Sequence, residues 1–264
     1  MDFATLTGAA WERHGDGTLS LETLPEGWMQ GRTLFGAGMA GVSVRELFDA
    51  ERPPRTVHVN FIGPLSSDAV AIPAILRAGR SMTHGQVQFH QGGALKGQVF
   101  VSMGGGRPSS VSLAPEQASL PGEPDDASLI EMPFLPGLTP NFTQNFHYRW
   151  SSTSFPFSGA RDGEIHGWCR FREAPGPPHA ALLGLVDSWP SPALPMMKAP
   201  SPASSVTWTT HFAHVPEVIT PDDWFWMRSR VTQAGDGYVH MSGGLFDRSG
   251  KLTARFEQLV AIFG

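Results

Sequence analysis

The order of predicted elements repeats once along this chain, and this repeat limits the possible folds more than any other feature. In each half, a helix rich in small residues precedes a run of strands separated by Gly and Pro turns. The helices are predicted at 35–50 and 179–189. The strands are predicted at 56–65, 69–79, 83–91 and 94–103, and again at 204–216, 222–235, 237–247 and 251–264. Self-similarity of this kind predicts two copies of one structural unit.

A change in composition separates the two halves. Residues 105–135 are rich in Gly, Pro, Ser and Asp without a sustained period, which is typical of a linker. The predicted organisation is therefore a first unit at 1–104, a linker at 105–135 and a second unit at 136–264. We expect an α+β fold in which an antiparallel sheet curls around each helix. Joining the two sheets edge to edge would cover an edge that a single unit leaves open.

Charge and cysteine content exclude several classes of protein. The net charge is −5 and no cluster of Lys and Arg is present, which argues against nucleic-acid binding. No apolar run reaches the roughly 18 residues that a membrane span needs, and the first residues lack the pattern of a signal peptide, so we expect a cytoplasmic protein that does not bind membranes. The single cysteine, Cys169, is predicted to lie in the core. His211 and His214 are three apart on a predicted strand and face opposite ways, so they are not predicted to share a metal, and no metal site is expected.

Two polar side chains interrupt apolar patterns in the second half. Asp187 ends the apolar run "AALLGLVD" of the predicted helix. Gln258 shares an alternating apolar face with Phe256, Val260 and Ile262 on the last strand. A carboxylate or an amide in such surroundings needs a partner or a function.

The repeat permits a comparison of the two halves. Aligning the glycines of the two helices sets Val44 opposite Asp187. Aligning the last hairpin turns sets Val101 opposite Gln258. At both positions only the second half is polar, so we expect the chemistry to reside there.

Five segments follow one another in the order "GWMQGRTLFGAGMAG", "NFIGPL", "RAGRSMTHGQVQFHQGG", "LLGLVDSWP" and "LTARFEQLVAIF". In their order and spacing these segments resemble the acyl-CoA thioesterase II-like family, which has a double hotdog fold. The resemblance spans about Gly27 to Gly264. The fold implied is a tandem hotdog, with each central helix wrapped by a curled antiparallel sheet.

The resemblance also implies which residues form the site. In this family an Asp, a Gln and a Thr or Ser hold the catalytic water, and these correspond to Asp187, Gln258 and Ser205. Ser204 and Thr207 are alternatives for the third position, because the preceding loop leaves the register open. Counting alternation along this strand places Ser205 on the same face as Thr207, which would make it an ordinary solvated hydroxyl.

The function implied is hydrolysis of acyl-CoA to a free acid and CoA in fatty acid metabolism, with Asp187 as general base, no cofactor and a homodimeric assembly. Gly36 is a candidate for close approach of the substrate, and Arg80 for a CoA phosphate or simply a solvated turn. Two alternatives stay open. One is a non-catalytic hotdog protein that binds acyl-CoA or lipid, and the other is a purely structural contact between Asp187 and Gln258.

Overall fold

The computed structural model describes residues 1–263, and most of this part of the chain forms antiparallel strands. The α-helices are α1 (Phe3–Leu6), α2 (Gly36–Leu47) and α3 (Pro178–Asp187), and short 3-10 helices lie at Glu26–Trp28, Asn141–Asn145 and Leu194–Met196. The strands are β1 (Glu12–Arg13), β2 (Leu19–Leu21), β3 (Met29–Gln30), β4 (Thr33–Leu34), β5 (Pro54–Phe61), β6 (Ala69–Ala78), β7 (Met82–Gln91), β8 (Ala94–Gly104), β9 (Ile130–Glu131), β10 (Phe146–Trp150), β11 (Glu164–Phe171), β12 (Ala203–Phe212), β13 (Phe225–Gly235), β14 (Tyr238–Phe246) and β15 (Leu252–Ile262). Both predicted helices and all eight predicted strands are found. The predicted end of the last strand, Gly264, lies outside the described residues.

Thirteen strands form one sheet in the order β1-β2-β6-β7-β8-β5-β12-β15-β14-β13-β11-β10-β9. The strands of the two halves meet where β5 pairs antiparallel with β12. At this junction Thr209 lies opposite His58, and the two side chains are hydrogen-bonded at 2.7 Å. The strands on either side follow in matching order, β5-β8-β7-β6 and β12-β15-β14-β13.

Helices α2 and α3 pack against each other in opposite directions. The end of α3 meets the start of α2, where Asp187 contacts Ala37. At the other end of the pair, Phe48 follows α2 and its ring lies 5.8 Å from that of His179 in the first turn of α3. Both helices are almost entirely buried because small residues let their neighbours come close. A Cβ on Gly184 would lie only 2.6 Å from the Phe171 ring.

The predicted linker packs on the second half of the sheet. Ala118, Leu120 and Leu129 contact a small cluster formed by Trp168, Trp226, Phe246 and Leu252. The segment also contributes strand β9, which pairs with β10. The linker is therefore irregular but held in place by apolar contacts.

Cys169 is fully buried, as predicted, and burial raises the pKa of its thiol to about 12. Among the described residues, no helix is long and apolar enough to cross a membrane.

Candidate active site

Asp187 is the last residue of α3, and its carboxylate faces the start of α2. Its Oδ2 accepts a hydrogen bond from the backbone N–H of Ala37 at 2.8 Å. The N-cap residue of α2 is Phe35, which has no side chain able to accept such a bond. Asp187 therefore satisfies one of the unpaired N–H groups of α2 from a neighbouring helix.

Burial changes the acidity of this carboxyl group. The pKa of Asp187 is raised from 3.8 to about 7, because removal from water disfavours the anion. The hydrogen bond from Ala37 opposes this effect but does not cancel it. A carboxyl group with a pKa near 7 can exchange a proton readily at neutral pH.

Gly36 keeps space for that carboxylate. A Cβ at this position would lie 2.9 Å from Oδ2 of Asp187 and 2.9 Å from the ring of Phe61. Contacts this short would force one of the two to move. Close approach at Gly36 was predicted for a substrate, and the groups observed there are Asp187 and Phe61.

Gln258 lies on the inner face of β15. Its alternating neighbours Phe256 and Val260 are buried in the core, as the sequence pattern predicts. The Nε2 group of Gln258 donates a hydrogen bond to Oγ of Ser205 on β12 at 2.7 Å. The structure therefore brings together two of the three residues that the sequence assigns to the site.

A β-bulge places Ser205 on this inner face. Ser205 lies opposite Val260, whereas Thr207 lies opposite Leu259, so one extra residue, Val206, separates them on β12. The prediction that Ser205 shares a face with Thr207 is wrong, because simple alternation does not hold across a bulge. Sequence periodicity gave no sign of the extra residue.

The two alternatives to Ser205 are directed elsewhere. Ser204 is exposed, and its hydroxyl bonds only to the carbonyl of Ser205, at 3.4 Å, within the described residues. Thr207 pairs with Leu259, which is on the face opposite to that of Gln258. Ser205 is therefore the hydroxyl that the fold brings to Gln258.

The end of α3 is held beside the strand that carries Gln258. The Oγ of Ser191, four residues after Asp187, lies 3.6 Å from Sδ of Met241. Met241 is the residue of β14 directly opposite Gln258. Within residues 1–263, no hydrogen bond joins Asp187 to Gln258, so the two do not form the structural pair considered above.

An aromatic residue that sequence reasoning missed also fixes this end of the helix. The buried hydroxyl of Tyr148 donates to the carbonyl of Ser188 at 2.9 Å. The Tyr148 ring packs edge-on against Trp189 at 5.5 Å. Both contacts involve the residues that follow Asp187, so they restrict the direction in which its carboxylate points.

Arg80 is not brought to this site within one chain. It is exposed in the turn between β6 and β7. The neighbouring Gly79 accepts a hydrogen bond from Arg52, which follows the C-terminal end of α2. Asp187 lies at the other end of α2, and a 12-residue helix is about 18 Å long.

The arrangement can support proton transfer to and from a small bound nucleophile. Three features each suit part of such a transfer: the near-neutral pKa of Asp187, the amide–hydroxyl pair of Gln258 and Ser205, and the N-terminus of α2, which favours negative charge. No group of three or more His, Cys, Asp or Glu suited to a metal is present in the described part of the chain.

Two family models match this chain, one in each half. The model of an acyl-CoA thioesterase N-terminal domain matches residues 24–104, and that of an acyl-CoA thioesterase C-terminal domain matches residues 115–262. A comparison with curated proteins gives no significant match.

Solved structures with the same overall fold have low sequence identity. A conserved protein of unknown function with a hot dog fold from Alicyclobacillus acidocaldarius is 24% identical, with a TM-score of 0.83 over 99% of this chain and 98% of that one. The acyl-CoA thioesterase II TesB2 from Mycobacterium marinum is 18% identical, with a TM-score of 0.73 over 99% and 98% of the two chains. The tesB protein of Mycobacterium avium subs paratuberculosis is 16% identical, with a TM-score of 0.73 over 99% and 100%. These likenesses show a hotdog fold, and the two domain models together show that the chain belongs to the acyl-CoA thioesterase family.

Proposed function

We propose that this protein hydrolyses acyl-CoA to a free acid and CoA, with Asp187 as the general base. The observation that carries the proposal is the carboxyl group of Asp187, which is held against the first turn of α2 and has a pKa raised to about 7. A base of this strength is partly ionised at neutral pH and accepts a proton effectively.

In the proposed reaction, a water molecule attacks the thioester carbonyl while Asp187 takes its proton. Gln258 and Ser205 hold that water through their amide and hydroxyl groups, which are already hydrogen-bonded to each other. Neither group carries a charge that would oppose ionisation of Asp187. Backbone N–H groups at the start of α2 stabilise the negative charge that develops on the carbonyl oxygen. The tetrahedral intermediate then collapses, the C–S bond breaks, and the CoA thiolate takes up the proton.

The architecture proposed for this reaction is a tandem hotdog, with units at 1–104 and 136–264 and a linker at 105–135. Its support is the matching strand order on either side of the β5–β12 junction and the antiparallel packing of α2 on α3. The second unit supplies the polar residues of the site, and the first supplies the helix N-terminus.

We also propose that two copies of this chain associate. Strand β2 pairs only with Ala69–Ala71 at the start of β6. The rest of β6 carries three large exposed apolar side chains, those of Ile72, Ile75 and Leu76. Apolar residues beside an open strand edge favour association with another surface.

The direct test is thiol release from acyl-CoAs of short, long, branched and aromatic chains, comparing the wild type with Asp187→Asn. We expect at least one wild-type substrate and, in the Asn variant, a loss on the order of a hundredfold or more, as for removal of a general base. Asp125→Asn, which alters an exposed carboxylate in the linker, is the matched control and should retain full activity.

Two outcomes would contradict the proposal. If folded Asp187→Asn keeps wild-type activity, the carboxylate is not the base. If no acyl-CoA is cleaved but acyl-CoA still binds, the alternative of a non-catalytic binding protein replaces the hydrolase.

A further inference from the structure

A cavity of about 600 Å³ opens at the end of the helix pair away from Asp187. It lies where the end of α2 meets the start of α3, and we call it the second cavity only to distinguish it from the candidate active site at the other end of the helix pair. Its lining includes Val44, Phe48, Pro54, His179 and Phe212. Its volume falls within the range of roughly 300–1,000 Å³ that is typical of small-molecule sites.

The second cavity occupies the position that corresponds to the candidate active site in the other half of the sheet. Strand β12 has a bulge between Ser205 and Thr207, and β5 has a bulge between Pro54 and Thr56. Pro54 precedes the bulge of β5 as Ser205 precedes the bulge of β12. Pro54 therefore takes the place of Ser205.

The polar residues of the active site have apolar counterparts here. Val44 corresponds to Asp187 on the helix, and Val101 corresponds to Gln258 on the partner strand. Together with Pro54, these residues supply neither the carboxylate nor the amide–hydroxyl pair of the candidate active site. The cavity therefore offers space for an apolar chain but lacks counterparts of the three residues proposed to hydrolyse a thioester.

A positive charge lies at the mouth of the second cavity. Arg55 lines it, and its Nε donates to the carbonyl of Gly104 at 2.6 Å. No carboxylate within residues 1–263 pairs with Arg55, whereas Arg45, also in the lining, has Glu46 at 3.6 Å. The exposed carboxylate of Glu217 lines the mouth as well. The terminal nitrogens of Arg55 are thus available to an anionic group.

A neutral hydrogen-bonding group lies next to this arginine. The ring of His179 is 5.0 Å from that of Phe212 and 5.8 Å from that of Phe48. Burial, and then the nearby charge of Arg55, lower the pKa of His179 to about 4, so the imidazole is neutral at pH 7. No hydrogen-bond partner of this ring is found in the part of the chain that the structure describes. A neutral imidazole can donate one N–H to a carboxylate.

We propose that the second cavity binds an aliphatic carboxylic acid, with its chain among the apolar residues and its carboxylate at Arg55 and His179. The apolar lining can bury the aliphatic chain, and the guanidinium of Arg55 at the mouth can pair with the carboxylate. An acid of this kind is also the product class of the proposed hydrolysis, but binding here does not depend on that reaction. The second cavity then binds an acid of this class without hydrolysing a thioester.

The test is calorimetric titration of the full chain with hexanoate, octanoate and decanoate, which requires no turnover and so stands apart from the hydrolase assay. We expect affinity to rise roughly tenfold for each two added methylenes, from burial of the chain. Octanol, which lacks the charge, should bind at least tenfold more weakly than octanoate.

Two variants localise the binding. Arg55→Gln keeps a donor for Gly104 and should weaken decanoate binding at least tenfold, while acyl-CoA hydrolysis stays unchanged. Ala213→Trp, at an exposed lining position, should fill the cavity and abolish binding. Arg107→Gln, in an exposed part of the linker, is the control and should bind as the wild type does.

The proposal is wrong if decanoate shows no saturable binding to the wild type, or if octanol binds as tightly as octanoate. It is equally wrong if binding survives both Arg55→Gln and Ala213→Trp, since the acid would then occupy another site. If Arg55→Gln does not fold, Ala213→Trp alone tests the location of the site, and decanoate binding that survives in this variant would show that the proposal is wrong.

Discussion

Replacement of Gly36 by alanine should move the Asp187 carboxylate without removing it. The new Cβ would lie 2.9 Å from Oδ2, and ordinary contact begins at 3.4 Å, so the oxygen must retreat by about 0.5 Å. Its hydrogen bond to Ala37, now 2.8 Å, would lengthen beyond the usual range. Because a misplacement of about 1 Å can cost a factor of about 100 in rate, we expect kcat/KM to fall about 10- to 100-fold.

The effect on folding should be smaller than the effect on rate. Crowding in a packed site costs about 1–3 kcal/mol, and the helix preference of Ala over Gly returns up to about 1 kcal/mol. The assay is thiol release, with thermal unfolding measured on the same samples. Gly38→Ala is the control, since its Cβ would meet Leu34 at 3.4 Å and does not approach Asp187. Full activity of a folded Gly36→Ala protein would refute the claim that the carboxylate position matters.

Two other predictions follow from the site. Ser205→Ala should lower kcat about tenfold, because Gln258 loses its hydrogen-bond partner. The kcat of Ser205→Thr, and that of the opposite-face variant Thr207→Val, should stay within about threefold of the wild-type value. Equal losses of kcat in Ser205→Ala and Thr207→Val would contradict the assignment of Ser205 to the site. The Asp187 carboxyl group loses its proton near pH 4 in the unfolded chain but only near pH 7 in the folded protein, so the free energy of unfolding of the wild type falls between these two pH values. Asp187→Asn has no such ionisation, and above pH 7 its free energy of unfolding should exceed that of the wild type by up to about 4 kcal/mol. Unfolding measured from pH 5 to 8 checks this, and a stability difference independent of pH would contradict it.

The sequence was sufficient to predict the two helices and the long strands, and to single out Asp187 and Gln258 as candidate site residues. Helical spacing and alternation are local properties, so both helices and the long strands could be predicted from them. The interruption of apolar patterns by Asp187 and Gln258 could be read in the same way, since both lie within regular elements.

The geometry of the site depends on features that periodicity does not contain. The bulge before Thr207 reverses the face of Ser205, and no residue pattern marks it. The hydrogen bond from Ala37 joins residues 150 positions apart, because it arises from the antiparallel packing of α2 on α3. The role of Gly36 follows from the same packing, so it could be recognised only once the two helices were in place.

The central claim is that Asp187 acts as the base, and the pH dependence of kcat/KM tests it most directly. The carboxylate must be ionised to accept a proton, so activity should rise with pH through one ionisation near 7 and reach a plateau above it. The residual activity of Asp187→Asn should lack this ionisation. A wild-type profile that is already flat from pH 5 upwards, or one that Asp187→Asn leaves unchanged, would contradict the account.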